Sequence, residues 1–221
     1  VCFLKNRAFD LPKNGDKIIV YGSFSTYQKG GVYQLIVSKI EMVGLGDKLK
    51  ELEELKKKLA LEGLFDKSRK KLLPSFPKKI GIITSFNGAV IHDFGNEICR
   101  RYPLVKIVAA NASVQGINAA KEIKNALIEL SKIDIDIIVI CRGGGSVEDL
   151  SPFNDEFLVR EIANSKIPIV TAIGHQVDYT LSDLASDVRA STPTEAAVIV
   201  TPDKLELYRN IDEIGNNIFQ Y

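Results

Sequence analysis

The sequence has little cysteine, little histidine and no long apolar run. Its three cysteines, Cys2, Cys99 and Cys141, are an odd number without the spacing of a zinc site. This argues against structural disulfides or zinc and favours a reducing cytoplasm. No apolar stretch approaches the roughly 20 residues of a membrane-spanning helix. Lys5 and Arg7 precede no apolar segment, so we expect no signal peptide.

Length and composition are those of an ordinary globular protein. The chain has 221 residues, of which 45% are hydrophobic and 26% charged, enough for one large domain or two small ones. It begins with Val1 rather than methionine, so we expect that residues before it belong to the protein.

The charge is unevenly distributed along the chain. Residues 1–79 hold 17 Lys and Arg against 9 Asp and Glu, a difference of +8, whereas residues 80–221 hold 12 against 19, a difference of −7. This asymmetry suggests that the N-terminal third binds a polyanion, although lysines that only solvate exposed faces would give the same count.

The first 45 residues read as β-structure. Residues 17–27 and 32–43 are rich in β-branched and aromatic residues, and Gly30 and Gly31 suit a hairpin turn between them. With a further short strand at residues 1–4, they predict part of an OB-fold-like barrel. Aromatic residues with cations nearby could stack on unpaired bases, or the aromatics could belong to a core. These residues are Phe24, Tyr27, Tyr33, Lys29 and Lys39.

A helix and a basic linker follow. Leucines at helical spacing predict a helix over 47–62, which Gly63 ends. Residues 66–79 contain six cations and two prolines, and we interpret them as a linker whose cations form either a solvated hinge or a phosphate track. The predicted organisation is a partial OB-fold-like domain over 1–45, helix and linker over 46–79, an α/β domain over 80–203 and the start of a helical region over 204–221.

From residue 78 onwards, strands of continuous Ile and Val alternate with amphipathic helices. This pattern predicts an α/β domain with a mostly parallel sheet and helices on both faces. Ligands of such sheets bind beyond the carboxyl ends of the strands, so the residues at those ends are the candidates for a site.

The first strand end is "ITSFNGAVIHDF". Thr84 and Ser85 end the strand, and Asn87 and Gly88 form a turn before a helix. Asp93 lies about 115° from the apolar stripe of that helix, at the flank, where it could face a cleft. A carboxylate near a helix N-terminus is also favoured by the helix dipole alone.

The second strand end is "CRGGGSVEDL". Arg142 precedes Gly143, Gly144 and Gly145, and Ser146 is a plausible N-cap with Asp149 at the third helical position. A helix that begins there would point its free N–H groups at an anion over the glycines. The glycines could also serve only a sharp turn. The stretch is not a Walker A loop, because it lacks the closing Gly-Lys.

Two further stretches follow strand ends. In "TAIGHQVDYTLSD", His175 follows a strand and Asp178 could orient its ring or share in proton transfer. In "RASTPTEAA", Thr192 reads as an N-cap with Pro193 first in the helix and Glu195 as its capping-box partner. That helix start could also lie beside the cleft.

Together these residues fit the cleavage of a phosphodiester. An arginine fork stabilises phosphate charge, a His-Asp pair transfers protons, and a second carboxylate, Asp93, could orient water or hold a metal ion. A sugar-phosphate enzyme could use the same strand ends, but it would leave the basic N-terminal region unexplained.

Four stretches occur in one order: "IGIITSFNGAVIHDF", "RRYPLVKIVAANASVQG", "VICRGGGSVEDLSPFNDE" and "AIGHQVDYTLSDLASDVRASTPTEAA". In these motifs the chain resembles the large subunit of bacterial exodeoxyribonuclease VII. The resemblance implies a nuclease that degrades single-stranded DNA from either end into short oligonucleotides, in a complex with several copies of a small helical subunit. It also implies an N-terminal OB-fold that binds DNA and a C-terminal helical region that binds the small subunits.

On the pattern of that family, Asp93, Arg142, His175 and Asp178 match the catalytic positions. We assign phosphate or DNA binding to Ser85, Gly143, Gly144, Gly145, Ser146, Thr192 and Thr194. No cofactor is firmly implied; Mg²⁺ on Asp93 and Asp178 is an option that the family does not uniformly require. Because the chain starts inside the OB-fold and stops as a long helix begins, we expect a fragment with reduced activity or none.

Overall fold

In the computed structural model, the described residues are 18–27, 32–42, 45–143, 150–174 and 179–219. The chain divides into two compact units, with the boundary between Leu55 and Lys56. No helix among these residues is long and apolar enough to cross a membrane.

The first unit contains an antiparallel pair of strands, β1 (Ile18–Tyr27) and β2 (Val32–Met42). Their register runs from Ile18 opposite Met42 to Tyr27 opposite Val32, with an irregularity between Tyr21 and Gly22. Both predicted strands are therefore confirmed. The predicted turn at Gly30 and Gly31, Lys29 and the predicted strand at residues 1–4 lie outside the described residues.

Helix α1 (Leu45–Leu61) follows, close to the predicted bounds. Gly63 has a φ of +75°, and its N–H donates to the carbonyl of Ala60, while the N–H of Leu64 donates to that of Leu59. This is the pattern in which a left-handed glycine ends a helix and satisfies its last carbonyls. Gly63 therefore ends the helix as predicted.

The second unit is built on a parallel sheet of five strands: β3 (Lys79–Thr84), β4 (Lys106–Asn111), β5 (Ile137–Cys141), β6 (Ile169–Ala172) and β7 (Val188–Arg189). The order across the sheet is β4-β3-β5-β6-β7. The three central strands are almost wholly buried, as the continuous Ile and Val runs predicted. The α/β fold class is confirmed.

The described α-helices after α1 are α2 (Val90–Arg101), α3 (Ala119–Ser131), α4 (Glu156–Asn164), α5 (Leu181–Ala185), α6 (Pro193–Val200) and α7 (Lys204–Phe219). Helices pack on both faces of the sheet. On one face, Ile80 and Ile82 of β3 share a core with Phe94 of α2 and with α6. On the other face, a side chain at Gly81 would meet Leu130 of α3. The stripe predicted for α2 is confirmed, since Val90, Phe94 and Ile98 are buried.

The described part of residues 146–165 is mostly helical, as the alternation of strands and helices predicted. A 3₁₀ turn spans Ser151–Asn154, and an α-helix spans Glu156–Asn164. The N-cap of that α-helix is Asp155, whose carboxylate accepts from the N–H of Leu158 at 3.0 Å. Ser146 and Asp149 lie outside the described residues.

The basic linker packs along the amino edge of the sheet, where the strands begin. Arg69 donates to the carbonyl of Ala163, and the Lys70 ammonium donates to the carbonyls of Leu184 and Ser186. Burial lowers the pKa of Lys70. These cations bond to the protein itself, an arrangement that neither the hinge nor the phosphate-track interpretation included.

Asp187 binds Lys71, the residue that follows Lys70 in the linker. Its carboxylate, almost fully buried, accepts from the N–H of Lys71 at 2.7 Å, from the Lys71 ammonium at 3.0 Å and from the N–H of Ile169 at 2.7 Å. Asp136 acts in the same way at the start of β3, where it accepts from the N–H groups of Lys78 and Lys79 at 2.6 and 2.8 Å. The amino edge is therefore closed by paired charges and capped backbone groups.

Candidate active site

The strand order places a natural binding position between β3 and β5. The chain runs from β3 outwards to β4 and then crosses to β5 on the other side of β3. After β3 the chain enters α2 on one face of the sheet, whereas α3, which precedes β5, covers the other face. Such a reversal of strand order opens a crevice at the carboxyl ends, where open α/β sheets bind ligands.

A cleft of about 210 Å³ lies at this position. It brings together Ser85, Arg142 and Gly143, three residues that the sequence assigned to phosphate contact or catalysis from two separate motifs. The remaining lining residues are Thr84, Asn87, Gly88, Val90, Val114 and Gln115. The two strand ends therefore form one site, as expected from parallel strands.

Thr84 contributes an unused hydroxyl to this cleft. The residue is 1% exposed, and its Oγ1 makes no hydrogen bond. A buried hydroxyl without a partner costs free energy, so natural proteins satisfy nearly all of them. An oxygen-rich ligand in the cleft would supply the missing partner.

The N-terminus of α2 also borders the cleft and has no side-chain cap. Ala89 stands at its N-cap and cannot accept a hydrogen bond through its side chain. By contrast, α4, α5 and α6 are capped by the side chains of Asp155, Thr180 and Thr192. The first N–H groups of a helix carry a partial positive charge and bind anions. A phosphate in the cleft would thus cap α2.

Arg142 enters the cleft directly from the end of β5. Its backbone N–H donates to the carbonyl of Ala172 at 2.9 Å, which extends the pairing of β5 with β6 and fixes the start of its side chain. Gly143 follows, and a Cβ there would stand 3.1 Å from Cγ2 of Val90. This glycine therefore allows the end of β5 to approach the first turn of α2.

Cys141 precedes Arg142 but takes no part in the site. Its side chain is fully buried, and burial raises the pKa of the thiol to about 12. The neutral thiol is not a nucleophile at physiological pH.

Asp93 lies in the first turn of α2 and is exposed. It is not among the residues that line the cleft, and its carboxylate makes no hydrogen bond or ion pair to another described residue. Its flanking position agrees with the helical wheel. Its catalytic role stays a prediction.

Thr192 and Thr194 lie at the start of α6 and are both exposed. Thr192 is the N-cap as predicted, since its Oγ1 accepts from the N–H of Glu195 at 3.0 Å. The Glu195 carboxylate accepts from the N–H of Ser191 at 2.6 Å, one residue before the position of a capping box. Neither threonine lines the cleft, so their contact with DNA stays a prediction.

His175, Asp178, Gly144, Gly145 and Ser146 lie outside the described residues, and their predicted roles stay predictions. Tyr179 and Thr180, which follow His175 and Asp178 in the chain, are firmly placed. The Arg189 guanidinium stacks 4.0 Å from the centre of the Tyr179 ring, and Thr180 caps α5 in a reciprocal bond with Asp183.

The described residues contain no group of three or more His, Cys, Asp or Glu side chains that could hold a metal ion. Mg²⁺ on Asp93 and Asp178 stays a prediction, because Asp178 lies outside the described residues.

The sequence did not assign Thr84 or Gln115 to the site. Thr84 ends β3 beside Ser85. Side chains along a strand alternate between its two faces, so Thr84 lies on the same face as Ile80 and Ile82, which pack in the core with α2. This alternation was the signal that could have placed Thr84 near the start of α2. Gln115 follows β4 at the end of the stretch "RRYPLVKIVAANASVQG", to which the sequence assigned no site residue, and the strand order brings it to the cleft.

Comparisons with known proteins agree with the motifs. The family described as exonuclease VII, large subunit, matches residues 64–221. The chain is 45% identical over 210 residues to the exodeoxyribonuclease 7 large subunit of Staphylococcus epidermidis, covering 95% of this chain and 47% of that protein. It is 44% identical over 210 residues to that of Staphylococcus carnosus, with the same coverage. It is 45% identical over 202 residues to that of Staphylococcus aureus, covering 91% and 45%. The chain thus spans about half the length of the curated relatives that it matches.

Proposed function

The chain belongs to the exonuclease VII large subunit family, and from this premise we propose that it is the catalytic part of an exodeoxyribonuclease. The substrate is single-stranded DNA, which the enzyme hydrolyses from its ends to short oligonucleotides in the cytoplasm. The observation that carries the proposal is the cleft between β3 and β5. It joins Arg142, the uncapped start of α2 and the unpartnered Thr84 hydroxyl around a space that suits a phosphate.

The reaction is the hydrolysis of a phosphodiester. A water oxygen forms a bond to phosphorus, the bond from phosphorus to one sugar oxygen breaks, and that oxygen leaves with a proton. Arg142 balances the negative charge on the phosphoryl oxygens through its planar fork of donors. Ser85 and the N–H groups at the start of α2 hold the same phosphate from the other side of the cleft.

His175 and Asp178 carry out the proton transfer. Histidine titrates near neutral pH, and a carboxylate three residues away can orient its ring. Asp93 orients the attacking water or holds a metal ion. The glycines at 143–145 with Ser146, and Thr192 with Thr194, contact the neighbouring phosphates of the strand.

The N-terminal unit contributes binding of the unpaired strand, as part of an OB-fold. Phe24 is 83% exposed and Tyr33 79% exposed. Phe24 pairs with Leu35 and Tyr33 with Thr26, so the two rings are diagonal neighbours on one face of the strand pair. Exposed rings in this arrangement suit base stacking. Lys39 is engaged by Glu41 and lies 5.4 Å from the Tyr21 ring centre, so it contributes less charge to DNA than a free lysine would.

The partner is the small subunit of the enzyme, in several copies. The relatives are named large subunits, which supports an assembly with a smaller one. The C-terminal helix α7 carries exposed apolar residues at Leu205, Tyr208, Ile211 and Ile214, each three residues after the last. Each consecutive pair lies one helical turn apart, and such exposed apolar surface suits helix–helix packing with the small subunit.

The test is incubation of the full-length protein with its small subunit and an end-labelled single-stranded oligonucleotide, with and without a chelator. Short products are expected. If they also form in the presence of the chelator, the hydrolysis depends on side chains and not on a metal ion. His175→Ala should abolish product formation. An unchanged rate in that variant would contradict the assignment of His175.

A second function is binding of single-stranded DNA or phosphate without cleavage by this chain. The same phosphate-binding cleft favours it, since anion binding needs neither His175 nor Asp93. In a gel-shift experiment with this chain alone, a shifted oligonucleotide without products would support it.

A further inference from the structure

A second cavity lies beside the cleft, at the same carboxyl edge of the sheet. Its volume is about 390 Å³, and its walls come from the start of α3 and from the turn before α4. Gln115 lines the cleft and Gly116 lines this cavity, so consecutive residues of one loop border both spaces. A polymer bound in the cleft therefore passes next to the cavity.

The walls suit a flat, partly apolar group. Ile117 is fully exposed at the rim, and Ala120 and Pro152 supply apolar surface inside. Asn154 accepts from the N–H of Leu181 through its Oδ1 at 2.8 Å, which leaves its amide N–H groups available as donors. The carboxylate of Asp155, also in the wall, disfavours a phosphate in this space.

An aromatic ring and a cation stand next to this cavity. Lys124 follows Ala120 by one helical turn on the same face of α3, and its ammonium lies 5.7 Å from the centre of the Phe157 ring. Phe157 is 70% exposed on the first turn of α4. An exposed ring beside a lysine is the combination that binds single-stranded nucleic acid, because the ring stacks on a base and the cation meets the backbone.

We propose that this cavity, together with Phe157 and Lys124, is a nucleotide subsite for single-stranded DNA. The base enters between Ile117 and Pro152 or stacks on Phe157, and it belongs to a nucleotide next to the phosphate in the cleft. The proposal rests on the proposed function. A docked peptide helix fits less well, because Ser151 and Asn154 interrupt the apolar surface.

Abasic interference tests the subsite. End-labelled single-stranded oligonucleotides, each lacking one base at a different position, are cleaved by the full-length protein assembled with its small subunit. The wild type should show one position, at a fixed offset from the cut, where loss of the base raises KM about tenfold. In Ile117→Ala and Phe157→Ala, this position should lose its effect, whereas Phe157→Tyr should retain it.

The matched control is Ile133→Ala. Ile133 is an exposed isoleucine in the loop before β5, at the opposite edge of the sheet, and its removal should leave the interference pattern unchanged. A wild-type pattern in Ile117→Ala and Phe157→Ala would overturn the subsite. The subsite would also be overturned if these variants lost the small subunit on gel filtration while their interference pattern stayed that of the wild type. That result would identify the surface as an interface with the small subunit.

The proposed function can fail separately. If the wild-type assembly leaves the DNA uncut, the proposed nuclease function is overturned. The subsite is then tested by measuring the binding affinity of the assembly for each abasic oligonucleotide. A base position whose removal weakens binding in the wild type but not in Phe157→Ala would support it. Equal weakening in both would overturn it.

Discussion

The two edges of the parallel sheet differ in how they use polar groups. At the amino edge, the Asp187 carboxylate accepts from three donor groups and that of Asp136 from two, and the Lys70 ammonium is bonded to two carbonyls. At the carboxyl edge, the Thr84 hydroxyl has no partner and α2 has no side-chain cap. Polar groups at the amino edge are therefore bonded within the protein, whereas some of those at the carboxyl edge are available to a ligand.

This difference shows that the number of charges in a segment does not predict its ligand. The linker holds six cations, yet Arg69, Lys70 and Lys71 bond to the protein and stabilise the fold. The cleft contains one arginine but combines it with a helix start and a buried hydroxyl. What distinguishes the cleft as an anion site is that, among the described residues, the Thr84 hydroxyl and the start of α2 lack side-chain partners.

The largest expected effect is on the carboxyl edge. Arg142→Ala in the full-length assembly should lower kcat about a thousandfold, since a fixed donor to transition-state charge is worth factors of this size. Single-turnover cleavage of an end-labelled oligonucleotide measures it.

Arg100→Ala is the control for Arg142→Ala, because Arg100 is exposed on α2 and pairs with Glu97 on the surface of that helix. It should leave kcat unchanged. A rate in Arg142→Ala within about twofold of the wild type would remove Arg142 from the chemistry.

The next effect is on the amino edge and concerns stability. Asp187→Ala should lower the free energy of unfolding by about 3 kcal/mol, because it leaves two N–H groups and a lysine without their acceptor. Thermal unfolding should show a decrease in Tm of about 10 °C. Activity below that transition should persist.

Asp134→Ala provides the comparison for Asp187→Ala. Asp134 pairs with Lys79, but its side chain is 90% exposed. Its removal should cost at most about 0.5 kcal/mol. Equal losses in the two variants would contradict the assignment of stability to Asp187.

Thr84→Val separates function from stability at a single position. The hydroxyl makes no hydrogen bond in the protein, so its removal should leave Tm unchanged or higher, while kcat/KM should decrease about tenfold through the lost bond to phosphate. Thr171→Val on β6 should do the opposite, because its Oγ1 is buried and bonded to Ser186 Oγ at 3.0 Å. A decrease in Tm for Thr84→Val would show that the hydroxyl serves the fold.

The smallest expected effect lies away from both edges. The hydrogen bond to Arg160 lowers the pKa of Glu62, and those to Lys58 and Arg160 lower the pKa of Glu156. A carboxylate whose pKa is lower in the folded state than in the unfolded state stabilises the fold at a pH above its unfolded-state pKa, which is about 4.3. This stabilisation is lost as the pH falls through the folded-state pKa.

Arg160→Met should therefore lower Tm slightly at neutral pH and not at about pH 3. Thermal unfolding at the two pH values measures the difference. Lys132→Met, which breaks an exposed pair with Glu129 on α3, is the control for general loss of surface charge. An equal decrease in Tm for Arg160→Met at both pH values would contradict the coupling.

Much of the fold was predictable because its signals are local. Runs of Ile and Val predicted four of the five parallel strands, Gly63 predicted the end of α1, and Thr192 predicted the start of α6. Ser85, Arg142 and Gly143 were predicted at one site, because parallel strands place their carboxyl ends together.

The remainder depends on contacts between distant residues. The two residues of β7 form a strand only through their pairing with β6, which no periodicity indicates. Lys70 and Lys71 meet partners more than 100 positions away in the chain, so nothing in the linker itself distinguishes bonded cations from solvated ones.

The shortness of β7 also bears on self-association. Among the described strands, β7 and β4 form the two edges of the sheet, and an open edge can template the addition of a foreign strand. β7 spans only Val188 and Arg189, too little for a second chain to extend a ladder. β4 offers six residues, with Lys106 and Asn111 exposed at its two ends. Strand addition to this sheet should therefore begin at β4, and a lysine in place of its exposed Ala109 would suppress it.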